Sequence, residues 1–218
     1  MNKRMKQICA GVILLLSVAM PGKAQKKGAR VTRQMPRVET AGHKMFKSML
    51  PATAKVMFID SMVVSKANFL KHLTISSEVG TLSYREKRKG GEGQPFAQYE
   101  NALGDRRIFS DGDTVVSKLY SQTLLGKGWD VPQPLSGIDF NDYEGAGFPF
   151  LASDGVTLYF AAKGPHSMGG YDLFMTTYDS DKAQWYEPQN YGLPFNSTAN
   201  DYLLAVDDID TLGWLVSD

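Results

Sequence analysis

Cysteine is almost absent from this chain: of 218 residues, only Cys9 is one. Histidine is nearly as scarce, with three residues, His43, His72 and His166, scattered along the sequence. A protein zinc site needs a cluster of Cys, His or carboxylate ligands, so these residues predict no metal site. No Gly-rich loop leads into a helix that opens on Lys-Ser or Lys-Thr, so neither a nucleotide nor another cofactor is expected. Long apolar runs are missing too. The stretch from Ile8 to Ala19 is shorter than the roughly 20 residues a membrane helix needs, so any membrane association should be peripheral. Arginine is absent from residues 139–218, which carry thirteen acids against Lys163 and Lys182, a balance of −11.

The first stretch reads as an address. Lys3, Arg4 and Lys6 precede the apolar run, and Pro21 and the small-residue site Gly22-Lys23-Ala24 follow it. This is the layout of a secretory signal peptide over residues 1–24, cleaved before Gln25. Cys9 lies too early in it to accept a lipid, and a chain beginning at Gln25 has no cysteine. Such a protein is exported without disulfides and depends on burial alone for stability.

Residues 25–138 carry eighteen basic and ten acidic side chains, a balance of +8, opposite in sign to the rest. Seven of the basic residues lie in the arm after the signal, including Arg30, Arg33 and Arg37. This arm, residues 25–54, reads as basic, flexible and disordered, with one short helix around Lys44 to Leu50. It is either a solvated linker or a contact for an anionic envelope polymer. Nucleic acid is not an expected partner of an exported chain. Residues 55–98 predict a strand in "KVMFIDSMVV", a helical turn in "SKANFLKHLTIS" capped by Ser65, and a charged loop in "REKRKGGEG".

From Tyr99 onward short runs such as "RRIFS", "KLYSQTL", "VTLYFAA" and "DLFMTTY" alternate with turn residues, the texture of an all-β repeat. The pattern recurs. Trp129 and Pro132 return as Trp185 and Pro188, Asn141 as Asn196, Thr157 as Thr211, Phe109 as Phe160 and Tyr120 as Phe174, at offsets of 51 to 56. That length suits one four-stranded propeller blade with a generous loop. Gly169-Gly170 suits a tight turn at positive φ, and Asp154-Gly155 another. Each tryptophan should cover a blade edge or seam, because one repeat cannot bury its own hydrophobic face.

The stretch "FPFLASDGVTLYFAAKGPHSMGGYDLF" resembles the TolB-like, WD-type β-propeller repeat of bacterial envelope proteins. Pro149, Ser153, Asp154, Gly155, Leu158, Tyr159 and Phe160 fill the element that opens a blade. Gly169, Gly170, Asp172, Leu173 and Phe174 fill the element that starts its next strand. The resemblance covers residues 99–218 and implies a partial propeller of four-stranded antiparallel blades, about two and the start of another. Such propellers often precede an OmpA-like peptidoglycan-binding domain, and here the last strand stops inside the next blade, as in a truncated chain.

Ser167, in "KGPHSMGGYDLF", nearly matches the G-x-S-x-G turn of a nucleophilic serine. That turn needs a helix after it and glycine where Pro165 stands, so Ser167 reads as a loop serine and no catalytic residue is assigned. "VDDID", with Asp207, Asp208 and Asp210, lacks the spacing of a calcium loop and reads as a turn or a weak cation site. Tyr143, Phe148, Tyr186 and Tyr191 are either core or rim residues. The expected function is a non-catalytic binding or scaffold propeller, periplasmic or associated with the outer membrane, contacting an envelope protein or glycan. Self-association through open blade edges is a further expectation. The alternative is a propeller hydrolase or lyase whose active site lies in blades outside this chain.

Overall fold

The computed structural model describes residues 7–10, 39–53, 58–85, 97–112 and 116–218. The charged loop expected from Arg85 lies outside this set except for Arg85 itself, as does the arm before Glu39. The described chain is mostly β, built of antiparallel sheets with one curled into a half-barrel. A first strand, β1 (Gln7–Ala10), is followed by the only helix of more than one turn among the described residues, α1 (Ala41–Met49). Then come β2 (Met62–Ser65), β3 (Thr81–Tyr84) and β4 (Ala97–Glu100).

The longer strands are β5 (Arg106–Gly112) and β6 (Ser117–Leu125), with the two-residue β7 (Gly128–Trp129) and β8 (Gln133–Pro134). The next set repeats that order: β9 (Glu144–Leu151), β10 (Thr157–Lys163), β11 (Asp172–Asp179), β12 (Gln184–Trp185) and β13 (Gln189–Asn190). The hairpin β14 (Asp201–Asp207) and β15 (Leu212–Ser217) ends the chain.

These strands make three sheets. The first runs β3-β4-β5-β6-β7 with β8 beside β6, and the second β9-β10-β11-β12 with β13 beside β11. The third runs β14-β15-β1-β2, so the C-terminal hairpin shares a sheet with two strands from the other end of the chain. The sheets pack in series: β9 lies against β4, β5 and β6, and β14 lies against β9, β10 and β11.

The first two sheets match in register. Phe109 faces Tyr120 across β5 and β6, and Phe160 faces Phe174 across β10 and β11. Trp129 pairs with Leu124 at one sheet edge, and Trp185 pairs with Tyr178 at the other. Gln133 faces Ser121 as Gln189 faces Met175. Alternate side chains of these strands face one core, where Tyr143, Phe160 and Phe174 meet edge to face or stacked at 5.2–5.9 Å.

Four local expectations need correction. The short helix expected around Lys44 to Leu50 starts earlier, at Ala41, with its N-cap Thr40 accepting from His43 N at 3.2 Å. It ends at Met49, ahead of Pro51, which has no N–H to continue the ladder, and passes into a single 3-10 turn over Leu50–Ala52. Ser65 is the last residue of β2, and the 3-10 turn Phe69–His72 starts at Asn68 with no side-chain cap. Gly169 and Gly170 are not at positive φ; Gly155, at φ 71°, is. Asn141 and Asn196 are not equivalent, since Asn141 is exposed and bonds Asp139, whereas Asn196 is buried and bonds both N and O of Leu173.

Candidate functional site

The loop between β10 and β11 carries the residues with the most chemical promise, and its Ser167 and Asp172 are engaged by backbone N–H groups. Ser167 Oγ accepts from Gly164 N at 3.0 Å, closing the turn that it interrupts. Asp172 is fully buried and accepts from Met168 N at 2.8 Å, Gly169 N at 3.3 Å and Asn190 Nδ2 at 2.8 Å. Burial pushes its carboxyl above the ordinary aspartate range, against the pull of those bonds. His166 is exposed at φ 63°, and its carbonyl accepts from Asn190 Nδ2 at 3.3 Å. Among the described residues no hydrogen bond links Ser167 to a histidine or to Asp172. A serine whose hydroxyl is held by the turn, followed by strand β11, is a structural residue.

The two glycines after it serve close packing. A Cβ on Gly169 would strike the carbonyl of Ala199, and one on Gly170 would strike the side chain of Asn200. The loop is thus clamped to residues 196–201, where Asp201, buried like Asp172, accepts from Ser197 N at 2.6 Å. Burial raises the Asp201 carboxyl as well, with Asp172 adding to the rise.

The remaining motif residues divide by burial. Pro149 and Leu158 lie in the interior and Tyr159 is half-buried, while Ser153 is exposed and bonds Asp208. Asp154 accepts from Val156 N at 2.9 Å and Thr157 N at 2.8 Å, so the Asp-Gly turn forms as its sequence predicts. Asp207 does the same for Ile209 and Asp210 and also accepts from Ser76 N at 2.6 Å, which makes "VDDID" a turn that ties down the N-terminal segment. No group of three or more His, Cys, Asp or Glu among the described residues is placed to hold a metal.

Trp185 is 2% exposed; its N–H donates to Ser136 O at 2.9 Å, and Pro188 behind it accepts from Tyr143 OH at 3.1 Å. Trp129 and Pro132 are half-buried, and the Arg107 guanidinium lies 4.1 Å over the Trp129 ring while bonding Gln122 Oε1 at 2.7 and 3.0 Å. Of the aromatics left open by sequence, Tyr143 is core, Phe148 and Tyr191 are half-buried, and Tyr186 is exposed. Sequence reasoning missed Arg107, Asn190, Asn196 and Asp201. Only Asn196 carried a signal, as a member of the repeat.

One cleft of about 660 Å³ opens between the N-terminal end of α1 and the clamped loop, lined by Glu39, Thr40, His43, Lys47, Met168, Gly169 and Thr198. Its charged groups satisfy each other. Glu39 meets Lys47 at 2.6 Å and His43 at 3.8 Å, and the Lys47 bond holds the Glu39 carboxyl below its ordinary range. The cleft is the seam where a helix rests on a β body. No protein-family model matches this chain, and no curated protein or solved structure matches it either.

Proposed function

We propose that this chain is a non-catalytic binding or scaffold protein of the bacterial envelope, built on propeller-type four-stranded units. The observation that carries the reading is the equivalence of the first two sheets: the Phe109–Tyr120 and Phe160–Phe174 pairs and the two edge tryptophans occupy matching register positions. Repeated sheets packed in series create a broad rigid surface, the usual use of such arrays. Ser167 and Asp172, in the one loop that resembled a catalytic turn, are spent on holding backbone, which favours recognition over turnover. The export layout of residues 1–24 supports the envelope as the place of action. A protein or glycan of the envelope is the partner class that fits that location.

The test is made on the chain expressed in a Gram-negative host. Its N-terminus is read by mass spectrometry after fractionation, and its neighbours are captured by in-cell cross-linking. A mature end at Gln25 in the periplasmic or membrane fraction, with a reproducible cross-linked partner, is the expected result. Met1 retained in the cytosolic fraction would sink the envelope reading. Absence of any partner would sink the scaffold reading.

A further inference from the structure

We infer that residues 166–169 and 192–198 form a helix-binding groove, and that α1 is its occupant, a detachable strap and not a part of the core. This stands on the packing of α1 alone and does not need the export or scaffold reading.

The helix meets the body through one stripe. Gly42, Met45, Phe46 and Met49 are half-buried, with His43 beside Gly42 likewise, while Ala41, Lys44, Lys47 and Ser48 are exposed. Positions i, i+3, i+4 and i+7 are the spacing by which an amphipathic helix lies in a groove. The two ends of the stripe are specific. A Cβ at Gly42 would sit 2.5 Å from Ser167 O and 2.8 Å from Met168 O, so only glycine lets the helix approach there. Two turns on, Met49 Cε lies 3.3 Å from where a Cβ on Gly192 would be.

The floor of the groove is built without α1. Asp172 holds Met168 N and Gly169 N, Gly170 N donates to Ala199 O at 2.8 Å, and Asp201 holds Ser197 N. The helix, by contrast, invests little in the body. None of its residues is fully buried, and its ion pairs, Glu39 with Lys47 and with His43, stay within its own segment and leave with it. The cleft at its N-terminal end shows that the contact is incomplete on that side. A nine-residue helix is marginal in water by itself, so leaving the groove unfolds it and returning refolds it. The groove therefore takes an amphipathic helix with a small residue at its first anchor and a flexible apolar one two turns later. The segment 39–53 of this chain, or of a second copy, has that chemistry.

The experiment compares the full chain with its Gly42→Val and Met49→Ala variants by hydrogen exchange and trypsin cleavage at Lys44 and Lys47, then adds a labelled peptide of residues 39–53. In Gly42→Val, cleavage at both lysines should rise by about tenfold or more, while exchange in residues 97–112 and 116–218 stays unchanged. The peptide should bind that variant with a Kd on the order of micromolar, and a peptide carrying the same substitution should not. Met49→Ala should act in the same direction more weakly. Unchanged protection of α1 overturns the strap, and loss of protection in the body together with α1 makes the helix a core element. Failure of the peptide to bind the Gly42→Val chain overturns the groove.

Discussion

The backbone N–H of Trp185 donates to the carbonyl of Ser136 at 2.9 Å, so the connection leaving the first sheet is stitched to the outer edge of the second. Gly137, at φ 88°, lies so close to the Trp185 carbonyl that a Cβ there would collide with it. Trp129 occupies the same place one sheet earlier, but among the described residues no connection is stitched to it, and Arg107 lies on its ring. Truncating a buried tryptophan costs about 3–5 kcal/mol, and a half-exposed one about 1–2 kcal/mol. Chemical denaturation of Trp185→Ala and Trp129→Ala should show that difference. Equal losses would mean that the two edges are not distinguished by the stitch.

Ser110 is buried, and among the described residues its hydroxyl has no hydrogen-bond partner. It faces Leu119, as Ala161 faces Leu173 in the next sheet. The second unit thus holds an alanine where the first holds a serine. Ser110→Ala removes an unpaired polar atom and should be neutral or stabilising by up to about 1 kcal/mol. A clear loss of stability on denaturant titration would show that the hydroxyl has a partner.

Burial raises the carboxyls of Asp172 and Asp201 in the folded state. A raised folded value means that the stability tied to the proton is fully present below the unfolded value and is lost as pH rises through the folded one. From about pH 4 upward, the stability of the native chain relative to Asp172→Asn should therefore fall. Asp154, lowered by the Thr157 hydroxyl and backbone N–H bonds, and Asp207, lowered by backbone N–H bonds, act in the opposite sense and lose their contribution as the pH drops below about 4. Stability measured from acid to neutral pH for the native chain and Asp172→Asn separates the two. A pH-independent difference would show that Asp172 is not perturbed.

Ser167→Ala should cost about 1 kcal/mol through loss of its bond to Gly164 N. No esterase or peptidase activity should depend on it. Turnover of a broad ester panel by the native chain that vanishes in the alanine variant would reverse the assignment.

The export proposed above would remove residues 1–24 and with them β1, which lies between β15 and β2. A chain that begins at Gln25 lacks β1, so the backbone amides of Leu212–Ser217 should exchange faster than in the full chain. Equal exchange would show that β1 does not protect that edge.

What the sequence determined by itself is local and periodic. The Asp154-Gly155 turn, the strand texture after Tyr99 and the recurrence of Trp129 at Trp185 need only backbone preference and alternation, and each has its counterpart in a turn or a register position. Tertiary structure decided which of the like residues are alike. Trp185 is sealed and Trp129 is half-exposed, because the connection through Ser136 crosses the edge of the second sheet at Trp185. Asn196 clamps Leu173 while Asn141 stays in solvent, because a side-chain amide bonds whatever backbone the fold brings to it. The glycines of the β10–β11 loop looked like turn residues but are close-approach residues, a role set by Ala199 and Asn200 on a later strand connection. The docking of α1, the third sheet made from both ends of the chain and the cleft between α1 and the β10–β11 loop all rest on contacts between distant segments, to which no periodicity in sequence corresponds.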